Sequence, residues 1–317
     1  MTGLEIAKNY YLEYGAPMIH EKFPEYESRL AVGLVGAGSE CFGYDDEISR
    51  DHDFEPGFCI FLPDDLAADR KLVFELERAY SYLPREYAGL KRQLVRPAGG
   101  SRRGILTISG FYSDRVGDLS RLDHPFGWLA LSEHALAEAT NGEVFRDDAG
   151  IFSGIRGKLL AMPDDVILKK LAGRLALASQ AGQYNYERSV SRGDLASAQL
   201  AAFEFVRQIV SAMFALDRRY LPYYKWVFRA LSASTRFAKH CDSLEFLIST
   251  QNDGDLPSIK LQVIGDICAD VAAELKSRDL SSADTSDLGA HAASVNSRIG
   301  DPAMRSLDLL AAAESAF

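Results

Sequence analysis

An apolar run that ends in a glycine-rich turn is the feature that most constrains how this chain folds. Leu30 to Val35 reads Leu-Ala-Val-Gly-Leu-Val, and Gly36-Ala37-Gly38-Ser39 follows it directly. A short apolar run closed by turn residues is typical of a buried strand. Glycine permits the positive φ angles that a sharp turn requires. The sequence therefore predicts a buried strand that enters a tight turn at Gly36.

Other segments indicate that this strand belongs to a sheet with flanking helices. Strands are predicted at Phe58 to Leu62, after a Pro56-Gly57 break, and at Gly104 to Tyr112, where apolar and polar residues alternate. Apolar spacing predicts helices at Thr2 to Glu27 and at Asp64 to Tyr82. Strands that alternate with helices favour an α/β or α+β domain.

After about residue 150 the pattern becomes helical. The predicted helices are Val166 to Ala181, Asp194 to Asp217, Trp226 to Ala238, Leu256 to Leu275 and Pro302 to Ala316. The stretch Ser277 to Asp287 is rich in serine and aspartate and is predicted to be a loop. We therefore expect two domains, a sheet-containing domain over residues 1–155 and an all-helical domain over residues 156–317.

Charge and cysteine content narrow the class of protein. The net charge of −10 argues against a general nucleic-acid binder, which usually carries a basic surface. The four cysteines form no Cys-x-x-Cys pair, which is typical of reduced thiols in a cytosolic protein. Charged residues interrupt the N-terminal segment, and no run approaches the ~18 apolar residues that span a bilayer. We therefore expect a soluble, cytoplasmic protein without a membrane partner.

The glycine turn is followed by two aspartates, Asp51 and Asp53, that flank His52. Side chains at i and i+2 of an extended segment point to the same side, so these two carboxylates are expected to converge. Carboxylate oxygens are ligands for Mg²⁺, and Mg²⁺ attracts a triphosphate. Gly38 lets the backbone approach a phosphate closely, and Ser39 adds a hydroxyl donor. The alternative interpretation is an ordinary surface turn followed by solvated acids.

Three other phosphate or nucleophile motifs fit less well. A dinucleotide fingerprint that starts at Gly36 would have a glycine at position 41, where this chain has Cys41. No Gly-Lys-Ser/Thr sequence is present, so a Walker-type loop is excluded. Ser39 stands in Gly-Ser-Glu rather than in the Gly-x-Ser-x-Gly of a hydrolase nucleophile elbow.

The longer string Gly33 to Phe54 (GLVGAGSECFGYDDEISRDHDF) resembles a bacterial family of nucleotidyltransferase-like proteins of unknown function. Further similarity lies in Trp128-Leu129, Thr140 to Asp147, Arg188 to Asp194 and Tyr220 to Trp226. The resemblance implies a polymerase-β-like nucleotidyltransferase domain, with a mixed sheet and flanking helices, followed by an all-helical domain. This α+β arrangement is similar to that of the aminoglycoside nucleotidyltransferases. It implies that Asp51 and Asp53 are metal ligands.

That superfamily usually carries a third carboxylate on a later strand, as a metal ligand or general base. The predicted strand from Ile105 to Phe111 contains no acid, whereas Asp114 lies just beyond it and Asp118 further on. Either residue could serve as the third catalytic acid, and Asp114 is the first candidate. If no third acid is present, the chain is expected to be a catalytically silent relative that still binds a nucleotide.

Three basic residues in the second half are candidates for binding the triphosphate or the acceptor. Arg188 and Arg192 are four residues apart and would share a face if the segment is helical. The planar fork of arginine suits phosphate oxygens. Lys225 lies between Tyr224 and Trp226, and a basic residue among large aromatics is expected to be sheltered. The alternative for each is an ordinary surface ion pair.

These observations predict a Mg²⁺-dependent nucleotidyltransferase. A nucleoside triphosphate, with ATP the first choice, would bind at Gly38 and Ser39, and the nucleoside monophosphate would pass to a hydroxyl of a small-molecule or protein acceptor held by the helical domain. The alternative is a catalytically silent nucleotide-binding or regulatory protein of the same fold. A nicotinamide-dinucleotide oxidoreductase is a third interpretation, and Cys41 argues against it.

Overall fold

The sheet of the first half has a mixed topology. The structure, a computed structural model, describes residues 1–48, 55–92 and 102–313. Within these residues the strands are β1 (Ala31–Leu34), β2 (Cys59–Leu62), β3 (Glu86–Tyr87), β4 (Leu90–Lys91), β5 (Gly104–Thr107) and β6 (Glu143–Asp147). The main sheet has the strand order β5-β2-β1-β6, and a two-stranded ribbon joins β3 to β4. β1 is antiparallel to both β2 and β6, whereas β2 and β5 are parallel.

Helices cover both faces of this sheet. The helices between residues 3 and 160 are α1 (Gly3–Tyr10), α2 (Ala16–Lys22), α3 (Ser39–Phe42), α4 (Asp64–Ala67), α5 (Arg70–Ser81), α6 (Ile108–Val116), α7 (Pro125–Leu129), α8 (Glu133–Thr140) and α9 (Ile151–Leu160). Residues 120–134, which contain α7, group with the helical part of the chain rather than with the sheet. A π-helical segment, Tyr11–Gly15, joins α1 to α2. On one face of the sheet Phe58 packs edge-on against Tyr80 of α5. On the other face Phe61 contacts Phe111 of α6 and Phe152 of α9.

The predicted strand from Gly104 to Tyr112 is wrong beyond Thr107. The Thr107 side chain accepts a hydrogen bond from the backbone N–H of Gly110 at 2.9 Å and thereby caps the start of α6. This N-cap overrides the strand-like alternation, because it satisfies a backbone donor that a helix start leaves unpaired. The strand β6 was not predicted, whereas β1 and β2 lie within one residue of the predicted bounds.

The remaining chain is helical. It contains α10 (Asp164–Ala178), α11 (Glu187–Ser191), α12 (Leu195–Leu216), α13 (Val227–Leu231), α14 (Cys241–Ser249), α15 (Leu256–Ser277), α16 (Leu288–Ser297) and α17 (Pro302–Ser306). A π-helical stretch, Ser179–Tyr186, continues α10 into α11. The predicted loop between α15 and α16 is confirmed. The predicted helix from Pro302 to Ala316 ends at Ser306, and α14 and α16 were not predicted.

The chain divides into two compact units. The first comprises Met1–Leu119 and Ala135–Ala161, and the second comprises Ser120–His134 and Met162–Phe317. The sequence-based boundary at residue 155 lies near the end of α9, and it does not separate residues 120–134, which belong to the second unit. The fold is thus α+β, with a small mixed sheet and a helical C-terminal region.

One helix of the described chain, α12, is long and apolar enough to cross a membrane by length and composition alone. In its most apolar window 67% of the residues are buried inside the protein, as in the core helix of a soluble protein. The fold is therefore compatible with a soluble protein.

Candidate functional site

The glycine turn predicted from sequence is present at the end of β1. β1 ends at Leu34, and all of its residues are buried. Gly36 has a φ of 100° and Gly38 a φ of 126°, both in the region that favours glycine. α3 then begins at Ser39. The chain therefore passes from strand to helix within four residues, and only glycine accommodates two of them without strain.

Asn141, on the segment before β6, fixes the start of this turn. The backbone N–H of Gly36 donates to Asn141 Oδ1 at 2.7 Å, and Asn141 Nδ2 donates to the carbonyl oxygen of Gly36, also at 2.7 Å. The backbone N–H of Gly142 donates to the carbonyl oxygen of Cys41 at 2.8 Å. Both ends of the turn are thus tied to one neighbouring segment. In the sequence, Asn141 stands out only as part of the family resemblance at Thr140 to Asp147.

The middle of the turn carries backbone donors that are left unpaired. The N–H groups of Ala37, Gly38 and Ser39 have no hydrogen-bond partner among residues 1–48, 55–92 and 102–313. All three residues are half-buried and reachable by solvent. Successive N–H groups around a turn form a concave site that attracts anions. The turn can therefore receive phosphate oxygens on three consecutive donors.

A buried ion pair packs against the glycine turn. Glu40 Oε1 lies 3.0 Å from Nη2 of Arg103, and the two side chains are only 6% and 8% exposed. Glu55 lies 3.9 Å from Nη1 of the same arginine. A Cβ atom placed on Gly38 would lie 2.6 Å from the Glu40 carboxylate. Gly38 is therefore required for its φ and also for the close approach of this carboxylate.

Arg115 of α6 lies against the turn, and sequence reasoning did not single it out. A Cβ atom placed on Gly36 would lie 2.6 Å from Nη2 of Arg115. The guanidinium stacks on the Phe111 ring at 4.0 Å, and Nη1 donates to the carbonyl oxygen of Phe111 at 2.8 Å. Burial lowers the pKa of Arg115, opposed by Glu138 and Asp114. Arg115 lies 79 positions after Gly36 in the sequence, so no local pattern predicts that the two are close. Only the packing of α6 brings this arginine to the turn.

The acidic pair on which the sequence interpretation depends, Asp51 and Asp53, lies outside the described residues. The chain that follows can be placed. Cys59, the first residue of β2, pairs with Gly33 of β1. Because the strands are antiparallel, β2 begins at the end of the sheet where β1 enters the turn. Among the described residues no group of three His, Cys, Asp or Glu side chains is arranged to hold a metal.

Asp114, the proposed third acid, does not follow a strand directly. It lies within α6, where its side chain is exposed, seven residues beyond the end of β5. β5 itself carries no acidic residue. Asp114 is adjacent in sequence to Arg115 and acts on the pKa of that guanidinium.

The basic candidates Arg188, Arg192 and Lys225 all lie in the second unit and are exposed. Arg188 stacks on the Tyr184 ring at 4.8 Å and donates to its hydroxyl group. Arg192 is the C-cap residue of α11 rather than a residue inside the helix. Lys225 Nζ lies 4.8 Å from the Trp226 ring. The expectation that Lys225 is sheltered is wrong, because it lies on a short 3₁₀ segment at the surface.

The two thiols near the turn are protonated at neutral pH. Burial raises the pKa of Cys59 to about 12 and raises the pKa of Cys41 well above its usual value. A thiolate is the form that attacks electrophiles and binds metals. These cysteines therefore act as small apolar residues in the core.

A sequence model of a domain of unknown function (DUF4037) matches residues 128–227, about a third of the chain. The match contains Asn141 and the four later stretches of similarity, from Trp128 to Trp226, but not the glycine turn. No curated protein matches the chain.

Proposed function

We propose that this protein is a Mg²⁺-dependent nucleotidyltransferase of the polymerase-β-like type, related to a bacterial nucleotidyltransferase-like family. The observation that carries the proposal is the set of three adjacent backbone donors at Ala37, Gly38 and Ser39, which no group in the described chain satisfies. Such donors around a turn suit the oxygens of a triphosphate.

In this proposal the residues have distinct roles. The turn binds the triphosphate, the Ser39 hydroxyl adds a donor, and Asp51 and Asp53 hold Mg²⁺. Mg²⁺ would supply charge neutralisation on the phosphates when bound. A hydroxyl group of the acceptor attacks the α-phosphorus, the bond to the bridging oxygen breaks, and pyrophosphate leaves. The proton of the hydroxyl passes to a carboxylate, for which Asp114 is the proposed residue.

The acceptor is proposed to be a small molecule or a protein rather than a nucleic acid. The net charge of −10 disfavours a polyanionic acceptor by repulsion. Arg188, Arg192 and Lys225 are the proposed basic contacts of the helical unit. Their exposure leaves their charged groups accessible to a ligand.

A specific observation favours a second candidate, a catalytically silent protein that binds nucleotide in the same place. β5 contains no carboxylate, and Asp114 is exposed on a helix. Without a third acid, the turn and its metal would still bind a triphosphate, but the acceptor hydroxyl would lack a base.

Titration calorimetry of Mg·ATP tests the binding step. Asp51→Asn and Asp53→Asn should each weaken binding at least ~100-fold, because even the loss of an outer-shell partner of a metal costs about 10–100-fold. The matched control is Glu47→Gln, which removes an exposed carboxylate from the same stretch of chain and should leave the affinity unchanged. Equal affinity of wild type and both aspartate variants would exclude the proposed metal site.

Transfer of label from α-³²P-ATP, or release of pyrophosphate, separates the two candidates. An enzyme should release pyrophosphate on addition of its acceptor, and Asp114→Asn should abolish release while Mg·ATP binding persists. If Mg·ATP binding depends on Asp51 and Asp53 but no acceptor tested leads to pyrophosphate release, the catalytically silent protein is favoured.

A further inference from the structure

Arg115 is a cation of the first unit that lies directly against the glycine turn. Its Nη2 lies where it would touch a side chain on Gly36, and Gly36 directly precedes the three unpaired backbone donors. The φ of 100° at Gly36 and the absence of a side chain there let the guanidinium reach the backbone. Nη2 of Arg115 and the three backbone donors therefore lie along the same turn.

The orientation of this guanidinium is fixed by apolar and backbone contacts. Its Cζ lies 4.0 Å from the centre of the Phe111 ring, and Nη1 donates to the Phe111 carbonyl oxygen. Phe111 in turn packs against Phe61 of β2 and Phe152. A side chain held in this way loses little conformational freedom when a ligand binds.

The Arg115 guanidinium has only a weak ion pair within the part of the chain that the structure describes. There the carboxylate that it faces is Glu138, whose Oε2 lies 3.9 Å from Nε, beyond hydrogen-bond distance. The buried Nε has no hydrogen-bond partner within the described chain. A partly buried cation without a hydrogen-bonded anion is costly. An anionic ligand at the turn would remove that cost.

We infer that Arg115 is a ligand-binding residue of the turn, which contacts a phosphate group of a polyphosphate together with the backbone N–H groups of Ala37, Gly38 and Ser39. This inference rests on the proposed function and deepens it, because it assigns the triphosphate a cationic contact from α6. Arginine presents planar paired donors that match phosphate oxygens.

The test measures binding of inorganic tripolyphosphate and of Mg·ATP by calorimetry. Arg115→Met keeps an unbranched side chain to cover Phe111 and should weaken both affinities roughly 10- to 100-fold, the range of a charge-assisted hydrogen bond. Arg115→Lys keeps the charge without the fork and should retain part of the affinity. Arg70→Met, an exposed arginine of α5 in the same unit, is the matched control and should leave both affinities unchanged.

Glu138→Gln gives a readout that loss of folding cannot imitate. It removes the carboxylate that faces Arg115 at 3.9 Å and should strengthen tripolyphosphate binding severalfold. Circular dichroism checks that each variant is folded.

The outcomes separate this inference from the proposed function. Unchanged affinity of folded Arg115→Met overturns the role of Arg115 even if Mg·ATP binding still depends on Asp51 and Asp53. If tripolyphosphate binding depends on Arg115 but Mg·ATP binding does not depend on those aspartates, the phosphate site is retained. The proposal that the protein is a nucleotidyltransferase is then overturned. If the wild-type protein binds neither tripolyphosphate nor Mg·ATP, this inference and the proposed function are both overturned.

Discussion

Among the described residues, the first unit buries Glu40 and Arg103 as an ion pair, whereas the second unit buries several cations with a single buried carboxylate, Glu133. The buried cations of the second unit are Lys169, Lys170, Arg174 and Lys260. Most of their partners are backbone carbonyl oxygens. The two units therefore balance buried charge by different means.

The second unit uses its cations to join distant parts of the chain. Lys169 donates to the carbonyl oxygen of Leu307 at 2.8 Å, and Lys170 donates to that of Leu131 at 3.0 Å. Arg174 donates to the carbonyl oxygen of Ala313 at 2.5 Å. These residues lie on α10, so one helix anchors both the 120–134 segment and the C-terminal segment. The buried cations of α10 therefore have a structural role.

The first unit places its ion pair next to the glycine turn. The Glu40 carboxylate lies against Gly38, and Arg103 also approaches Glu55. The contrast teaches that burial of a charged residue does not identify a functional site by itself. The buried pair of the first unit matters for function because of what it touches.

The largest stability effect is expected from Arg174→Met. The substitution leaves the buried Glu133 without its arginine partner, and breaking a buried pair costs about 3–5 kcal/mol. Urea unfolding should show this loss, with Mg·ATP affinity of the folded fraction unchanged. The double variant Arg174→Met/Glu133→Gln should recover part of the stability, since no unpaired charge remains. A loss below about 1 kcal/mol for the single variant would contradict the comparison.

A smaller effect is expected from Glu40→Gln in the first unit, about 1–3 kcal/mol. Arg103 keeps Glu55 as a second carboxylate at 3.9 Å, so less charge is left uncompensated than in the second unit. Because Glu40 packs against Gly38, this variant should also change Mg·ATP affinity, unlike Arg174→Met. Unchanged affinity with reduced stability would show that the pair is structural in the first unit as well.

The smallest effect is a pH dependence from Lys170. Burial lowers the pKa of Lys170 to about 8, from an ordinary value near 10.5. The unfolded chain therefore binds more protons than the folded chain between about pH 8 and 10.5, and stability should rise with pH in that window. Below pH 8 both states are protonated and the penalty is complete. The stability of wild type minus that of Lys170→Met should therefore rise from pH 7.5 to 9.5, and a flat difference would disprove the shift.

The parts of the fold that sequence predicted are those set by local patterns. β1 and β2 lie within one residue of the predicted bounds, and α12 runs from Leu195 to Leu216, inside the predicted Asp194 to Asp217. The Asp194 side chain accepts a hydrogen bond from the N–H of Ser197 and caps the helix at its predicted start. Apolar periodicity and a capping residue are enough for such elements.

β6 was missed because its signal is not local. Its sequence, Glu-Val-Phe-Arg-Asp, is half-buried along its whole length and mixes charged with apolar residues. It is a strand because β1 offers it a partner, with Leu34 paired to Glu143. The length of β5 was wrong because the Thr107 cap outweighs the alternation of the following residues.

The glycine turn can be predicted from the amino-acid sequence alone, since φ preferences act within single residues and Gly36 and Gly38 have them in any fold. The groups that surround the turn depend on tertiary packing. Asn141 lies 105 residues from Gly36, and Arg103 lies 63 residues from Glu40. Contacts at such separations are set by how strands pair and helices pack, and no local pattern in the chain encodes them.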